Sequence, residues 1–368
     1  MSILTFFVGT YTTAFVRRGK KLDPPHETGS KGIYSLEFDT VSKDVSIVSI
    51  TENINPTFID VTSDGTRLYS ISETDRFDGI DQGVITFYKI TSENKLIEIN
   101  KKGTAGSEPC HIIIHPSQKS LTVSNYGSGS VISYGIEDDG NLSDIANFFQ
   151  HSGSSVNELR QQSAHAHSST FNLLTNQLYV ADLGMDKIVV YDYDSTTGIL
   201  KARPELNVSL VPGAGPRHFE WHPNGSVLYV INELDCTVSV YKCNDDQKLE
   251  LLQNISTLPE GFGGIISCAD VHISADGKFL YASNRGHSSI VRFTVSLSGI
   301  PLSGATHFDT AGKWTRNFAI SPSQDYMFVA NQDTNNIVIF DRNIQDGSIV
   351  NSGIEIDIPS PVCIKFIK

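Results

Sequence analysis

Residues suited to acid–base chemistry on an anion occur at equivalent points along this chain. They are three arginines, three histidines and three carboxylates: Arg217, Arg285, Arg316, His111, His167, His218, Glu73, Glu233 and Asp270. A guanidinium is a permanently charged planar fork that fits carboxylate or phosphate and can stabilise a developing oxyanion. Histidine and glutamate can exchange protons near neutral pH. Together these residues predict acid–base catalysis on an anionic substrate, if the fold brings them together.

An 18-residue pattern that occurs six times must do this positioning. Each copy has an apolar run, a polar turn and a second apolar run rich in Val, Ile, Tyr and Phe, which predicts a β-hairpin. Further apolar runs follow, such as 238–241 and 249–252 after the fourth copy. Four antiparallel strands at a period of about 50 residues are typical of one blade of a β-propeller. The copies begin at Pro56, Pro109, Ala166, Pro216, Cys268 and Thr315.

The two ends of the chain supply the material for a seventh copy. Residues 360–366 resemble its first strand, and residues 6–11 resemble its second strand. A blade shared by both ends would close the ring and remove open sheet edges. The sequence therefore predicts an all-β, seven-bladed β-propeller with four antiparallel strands per blade, forming a single domain over residues 1–368. A β-solenoid is the alternative, although it normally has a shorter repeat and capped ends.

The opening and closing positions of each hairpin must lie on one rim of this ring, around the mouth of the central channel. The middle positions stay apolar from copy to copy, whereas the rim positions diverge. The alternative explanation is that rim positions are exposed and free to vary, but the convergence of three arginines favours a shared asymmetric ligand. The closing positions hold Glu73, Tyr126, Leu183, Glu233, Arg285 and Gln332. The second and third positions hold Thr57, Cys110, His167, Arg217, Ala269 and Arg316, then Phe58, His111, Ser168, His218, Asp270 and Asn317.

Composition excludes several classes of function. A formal charge of −13 argues against a nucleic-acid or anionic-membrane surface. No apolar stretch is long enough to span a bilayer, and the N-terminus reads as a strand rather than a signal peptide. The 5 cysteines include no CxxC pair and mostly lie in apolar runs, which predicts reduced thiols and a cytoplasmic protein. No oligomeric state is predicted.

No GxSxG motif is present and no cysteine has an obvious catalytic context, which argues against nucleophilic catalysis. No cofactor is predicted. A divalent cation is an alternative, but the arginines of the same rim would oppose it, and no metal is predicted. Its ligands would come from Glu73, Asp182, Glu233, Asp270 and Asn232. Two insertions are predicted as long loops, residues 14–31 and residues 149–165, and loops of this length are often functional or mobile.

Several segments resemble one family over essentially the whole chain. They are FVGTYT at 7–12, HAH at 165–167, GAGPRHFEWHPNG at 213–225, LYVINEL at 228–234 and ADVHISADGKFLYASNR at 269–285. They are similar to the bacterial seven-bladed 6-phosphogluconolactonase family, which also resembles the fungal carboxymuconate lactonizing enzymes. The pattern of those fungal enzymes implies four catalytic residues here: His167, Arg217, Glu233 and Arg285.

The resemblance implies hydrolysis of an anionic small-molecule sugar lactone, 6-phospho-D-glucono-1,5-lactone, to 6-phosphogluconate. In this hypothesis Arg217 polarises the carbonyl, Glu233 or His167 takes a proton from water, and Arg285 with Arg316 holds the phosphate. The remaining rim residues are predicted to bind substrate: Arg316, His111, His218, Asp270, Glu73, Tyr126 and Gln332. The alternatives are a lactonizing cycloisomerase at the same site, or a non-enzymatic propeller that binds protein partners.

Overall fold

The repeated hairpins form the inner halves of seven antiparallel sheets arranged in a ring. The computed structural model describes residues 2–17, 20–195 and 197–367. We number the blades 1 to 6 by the six copies of the repeat and call the sheet that contains both chain ends the closure blade. The innermost strand of each blade contacts that of the next, and the innermost strand of the closure blade contacts that of blade 1. The predicted seven-bladed propeller is therefore confirmed.

The strands of each blade follow one another from the axis outward. Blade 1 contains Phe58–Val61, Arg67–Ser72, Val84–Ile90 and Leu96–Gly103. Blade 2 contains Pro109–Ile114, Ser120–Asn125, Ser130–Ile136 and Leu142–Gln150. Blade 3 contains Ala166–Asn172, Gln177–Asp182, Lys187–Tyr193 and Leu200–Ala202, and Val208–Ser209 also pairs with its third strand after a 3₁₀ turn at Pro204–Leu206.

The other blades continue this order. Blade 4 contains Pro216–Trp221, Val227–Asn232, Thr237–Cys243 and Leu249–Ser256. Blade 5 contains Cys268–Ile273, Phe279–Asn284, Ser289–Val295 and Leu302–Asp309. Blade 6 contains Thr315–Ile320, Tyr326–Asn331, Asn336–Arg342 and Ile349–Asp357. The closure blade contains Pro361–Phe366, Ile3–Thr10, Gly32–Asp39 and Val45–Glu52.

The second strands are the most buried part of each blade because neighbouring blades cover both of their faces. Every residue of Val227–Asn232 and of Phe279–Asn284 is buried. A strand buried on both faces needs a continuous apolar run rather than an alternating one, which explains sequences such as VLYVIN. The core thus lies between the blades, and apolar side chains of blades 1 and 2 form a single cluster.

Recurrent tyrosines join successive blades. Tyr69, Tyr229 and Tyr281 occupy the same position of the repeat, and each donates its hydroxyl to a glycine carbonyl at 2.7 Å. The glycine lies in the outer turn of the following blade in each case. Gly140, the partner of Tyr69, has a φ of +91°, and a Cβ there would lie 2.4 Å from the Phe87 ring. This turn therefore requires glycine for both its backbone conformation and its packing.

The insertion at 14–31 differs from the loop predicted from the sequence. Thr13–Arg17 and Lys20–Glu27 pair as an antiparallel hairpin that is separate from the blades. The polar composition and the Pro-Pro pair concealed this pairing, because neither is typical of a strand. No helix that could cross a bilayer occurs in the part of the chain that the structure describes.

Ring closure depends on the pairing of Pro361–Phe366 with Ile3–Thr10. Deletion of residues 361–368 should leave the backbone of Ile3–Thr10 unpaired on one side and expose the core of the closure blade. We expect a lower melting temperature and concentration-dependent light scattering.

The control for this deletion joins Thr13 to Glu27 through two glycines. It removes the hairpin but keeps every blade strand, and Thr13 and Glu27 are already paired. It should melt as the intact chain does. A deletion of 361–368 that also melts like the intact chain would show that closure contributes nothing measurable to stability.

Candidate active site

A β-bulge at the start of the innermost strands positions the candidate site. In blade 4, Pro216 pairs with Asn232 and His218 pairs with Ile231, so Arg217 is left without a partner in the ladder. A bulge re-aims the side chain of the residue that it leaves unpaired. The register shift at the equivalent point of blades 2, 3 and 6 passes over Cys110, His167 and Arg316. The second position of the repeat is thereby released from the alternation of the strand.

Glu233 follows the second strand of blade 4 and forms the centre of a charged cluster. Its Oε2 lies 3.0 Å from Arg217 Nε, 2.9 Å from Arg285 Nη2 and 3.8 Å from His167 Nε2. Its Oε1 accepts a hydrogen bond from Arg160 Nη2 at 2.7 Å. The four residues predicted to be catalytic are therefore neighbours, although they come from blades 3, 4 and 5.

The cluster is buried, and burial decides its protonation states. Glu233 has only 4% of its side chain exposed. Burial would raise the pKa of Glu233, but Arg285, Arg160 and Arg217 hold the pKa of this carboxyl well below its usual range. Burial, and then the Arg217 charge, lower the pKa of His167 well below its usual value. Glu233 is thus ionised, and His167 is a neutral imidazole.

Arg217 is held by three contacts. Besides Glu233, its Nη1 donates to the Ala269 carbonyl at 2.6 Å and lies 3.0 Å from His218 Nε2. Burial and the charges of Arg285 and Arg316 lower the pKa of Arg217 to about 10. The charged form of a guanidinium that lies among other cations is stabilised when a negative charge, such as an oxyanion, binds beside it.

A second, partly buried network extends from Arg217 along the innermost strands. His218 Nδ1 lies 2.8 Å from Asp270 Oδ1, and His272 Nε2 lies 3.1 Å from Asp270 Oδ2. Burial and Arg217 lower the pKa of His218 to about 4. Burial opposes the charge on His272, but Asp270 and Glu220 raise the pKa of His272 to about 10. Asp270 therefore orients two histidines, of which His218 is neutral and His272 is protonated.

Glu73 and Arg316 lie on the other side of a small cavity at this mouth. Glu73 accepts hydrogen bonds from the Tyr11 hydroxyl at 2.6 Å and from Thr57 at 2.8 Å. Arg316 donates to the same Tyr11 hydroxyl at 3.1 Å. The residues that line the cavity are Thr57, Phe58, Glu73, Cys110, Arg217, His218, Arg316 and Val362.

The remaining predicted rim residues differ in their contacts. The Tyr126 hydroxyl accepts a hydrogen bond from Arg160 at 3.2 Å. His111 lies with its ring centroid 4.5 Å from that of Phe58 and 5.7 Å from that of His218, so it packs beneath the cavity rather than lining it. Gln332 is half-buried, and its Oε1 has no hydrogen-bond partner among the described residues. It does not join the Glu233 cluster.

Two members of these networks were missed from the sequence. Arg160 belongs to the insertion at 149–165 and not to the repeat, so it has no equivalent residue in the other copies with which it could be compared. The unusual length of that insertion was the available signal. His272 lies in the fifth position of the repeat, where the other copies vary without an obvious pattern. Within the described residues, no group of three or more His, Cys, Asp or Glu side chains is arranged to hold a metal ion, and all five cysteines are free thiols.

Comparison with known proteins decides the family. The model of the family described as lactonase, seven-bladed β-propeller, matches residues 5–366. The chain belongs to this lactonase family.

Relatives of this lactonase carry related names. It is 31% identical over 364 residues to the 6-phosphogluconolactonase of Bacillus subtilis strain 168, covering 98% of this chain and 97% of the relative. It is 38% identical over 326 residues to the 6-phosphogluconolactonase of Formosa agariphila, covering 86% and 90%. The solved structure of the periplasmic gluconolactonase of Pseudomonas aeruginosa superposes with a TM-score of 0.88 at 28% identity, covering 100% of this chain and 99% of that one.

The Glu233 cluster makes a prediction for the stability of the lactonase. Glu233→Gln would leave Arg217 and Arg285 buried without a counter-charge, and breaking a buried ion pair on one side typically costs about 3–5 kcal/mol. We expect the free energy of unfolding, measured by denaturant titration, to fall by this order. The matched control is Glu205→Gln, which removes an exposed carboxylate from its pair with the half-buried Arg203 and should change little. Equal effects of the two substitutions would contradict the arrangement of charges described above.

The buried histidines predict a dependence of stability on pH. Burial lowers the pKa of His111, His167 and His218, so the unfolded chain binds more protons than the folded chain below the ordinary histidine pKa of about 6.5. The free energy of unfolding should therefore fall between pH 6.5 and pH 5. The slope of the free energy of unfolding against pH is proportional to the number of protons taken up on unfolding. His111→Phe should reduce that number by up to one, as measured by denaturant titrations at several pH values. A free energy of unfolding that stays constant over this interval would contradict the lowered pKa values.

Proposed function

We propose that this lactonase hydrolyses 6-phospho-D-glucono-1,5-lactone to 6-phosphogluconate in the cytoplasm, as the second step of the oxidative pentose phosphate route. The names of the Bacillus and Formosa relatives support this substrate. The observation that carries the proposal is the excess of guanidinium groups at one mouth. Arg160, Arg217, Arg285 and Arg316 lie there with the carboxylates of Glu233 and Glu73. This local excess attracts an anion although the whole chain has a charge of −13.

The chemistry assigned to each residue follows from its environment. Arg217 lines the cavity and would polarise the lactone carbonyl, stabilising the oxyanion as water attacks. His167 would take the proton from that water, because both carboxylate oxygens of Glu233 already pair with arginines, whereas the unprotonated His167 Nε2 lies 3.8 Å from Glu233. Glu233, 3.8 Å from His167 Nε2, would stabilise the imidazolium that forms. The imidazolium then returns its proton to the ring oxygen as the carbon–oxygen bond of the lactone breaks.

Substitution of these residues tests the proposal. Loss of a general base typically lowers turnover about 10²–10⁴-fold, so His167→Asn should lower kcat by this order. Loss of an oxyanion donor typically costs about 10²–10³-fold, which is expected for Arg217→Ala. Initial rates should be measured by acid release in weakly buffered solution, and the rate of spontaneous lactone opening should be subtracted.

The control substitution is His115→Asn. His115 lies before the hairpin turn of blade 2, at the opposite end of the innermost strand from the site, and bonds to Ser117. It should leave kcat unchanged per folded molecule, as judged by circular dichroism. Turnover by folded His167→Asn within a few-fold of the unsubstituted enzyme would remove His167 from the reaction. A wild-type rate equal to the spontaneous rate would reject the proposed substrate.

A second substrate is favoured by one comparison. The structurally similar Pseudomonas protein is named a gluconolactonase, so unphosphorylated glucono-1,5-lactone is the alternative. Both lactones present the same ester to Arg217 and differ in the charge at the distal carbon. The ratio of their kcat/KM values separates the two functions, and the proposed function requires a ratio that favours the phosphorylated lactone.

A further inference from the structure

Arg160 reaches the charged cluster from outside the blades. It belongs to the segment between Gln150, where blade 2 ends, and Ala166, where blade 3 begins. Its Nη2 donates to Glu233 of blade 4 at 2.7 Å and to the Tyr126 hydroxyl of blade 2 at 3.2 Å. These blades flank blade 3, which carries His167. The guanidinium of Arg160 therefore bridges the two blades on either side of the proposed base.

Arg160 is much more accessible than the other two partners of Glu233. Its side chain is 34% exposed, against 3% for Arg217 and 6% for Arg285. The two buried arginines also donate to backbone carbonyls, those of Ala269 and Cys268. If Arg160 turned away, Glu233 would keep both of them on its Oε2. Arg160 is thus the guanidinium that can change partners with the smallest loss.

The backbone around Arg160 is fixed to blade 3 at several points. His151 lies between Asp182 at 2.7 Å and the Tyr191 hydroxyl at 2.8 Å. Gln161 donates its side-chain amide to the Leu183 carbonyl at 2.8 Å. With its base held in this way, a change of partner by Arg160 requires rotation of its side chain and no opening of the loop.

The same anchoring connects Arg160 to the loop that positions Arg217. Asp186 of blade 3 accepts hydrogen bonds from Ser155 in the insertion at 2.5 Å, and from the backbone amides of Gly213 and Gly215 at 2.6 Å each. These glycines immediately precede the strand that carries Arg217. One buried carboxylate therefore sets the relative position of the insertion and of the proposed oxyanion donor.

We propose that Arg160 is a specificity residue that leaves Glu233 and binds the phosphate of the substrate. The inference rests on the proposed function and replaces the sequence-based assignment of the phosphate to Arg285, whose Nη2 is shared between Glu233 and Cys268. A phosphate dianion is expensive to bury, so its partner belongs on the solvent side of the mouth. A guanidinium offers two parallel N–H donors to phosphate oxygens.

The test compares two lactones in three variants. Hydrogen bonds to a charged partner contribute about tenfold or more in affinity. Arg160→Gln should therefore lower kcat/KM for the phosphorylated lactone about tenfold or more, mainly through KM, and should change that for glucono-1,5-lactone little. Arg160→Lys, which keeps the charge but not the fork, should fall between these values. The control is Arg203→Gln, a half-buried arginine that follows the fourth strand of blade 3 and whose partners are Asp192 and Glu205. It should leave kcat/KM for both lactones unchanged.

Calorimetric binding of 6-phosphogluconate and gluconate to the same variants gives a readout that needs no turnover. The wild type should bind the phosphorylated acid about tenfold more tightly or better, and Arg160→Gln should abolish the difference. An equal loss on both lactones, or an unchanged ratio in Arg160→Gln, would overturn the inference and assign Arg160 a purely structural role. If the wild type does not accelerate opening of the phosphorylated lactone, the proposed function fails. Calorimetry still decides on Arg160 in that case, because absent or unselective binding would overturn its role.

Discussion

The arrangement of the mouth depends on one buried carboxylate, that of Glu233. Arg217 and Arg285 could not remain charged in a site this enclosed without a counter-charge, since an uncompensated buried ion costs several kcal/mol. Glu233 supplies that charge to both of them through one oxygen and to Arg160 through the other. As a consequence, both carboxylate oxygens of Glu233 are paired with arginines and are not available to accept a proton from water. Proton transfer therefore falls to the neutral histidine beside it.

A second constraint is that the innermost strands must direct large side chains into the mouth of the channel at the point where each strand begins. The repeat places the beginnings of seven innermost strands around one axis. In several of these strands a bulge leaves one residue unpaired and redirects its side chain. Because the bulge is set by the backbone, the residue at that point can change without loss of the fold. His167, Arg217 and Arg316 occupy such points, while Cys110 occupies another. A repetitive scaffold thus carries an asymmetric site.

The sequence was sufficient for the ring and for placing His167, Arg217 and Arg285 near Glu233, because both depend on periodicity. The hairpins recur in register, and equivalent positions of a ring must meet at one mouth. Arg160 was beyond such reasoning, since its position depends on contacts of His151 with Asp182 and of Ser155 with Asp186, which no spacing reveals. The hairpin at 13–27 was wrongly predicted as a loop, because its polar composition and its Pro-Pro pair are not typical of strands. Gln332 occupies the closing position of its copy, as Glu233 and Arg285 do in theirs, yet it makes no hydrogen bond to the Glu233 cluster.

The closure blade has a consequence for how the protein is made. Phe6 pairs with Phe366, so the strand Ile3–Thr10 must wait for synthesis of Pro361–Phe366 before its sheet is complete. At about 5–20 residues per second, translation leaves that apolar strand without its inner neighbour for roughly tens of seconds. Blades 1 to 6 can pack in order as they emerge, but the final step joins a strand that precedes blade 1 to a strand that follows blade 6. Pairing over such a long sequence separation is slow. Nascent chains are therefore most exposed to mispairing at this strand, where a chaperone would have the most to protect.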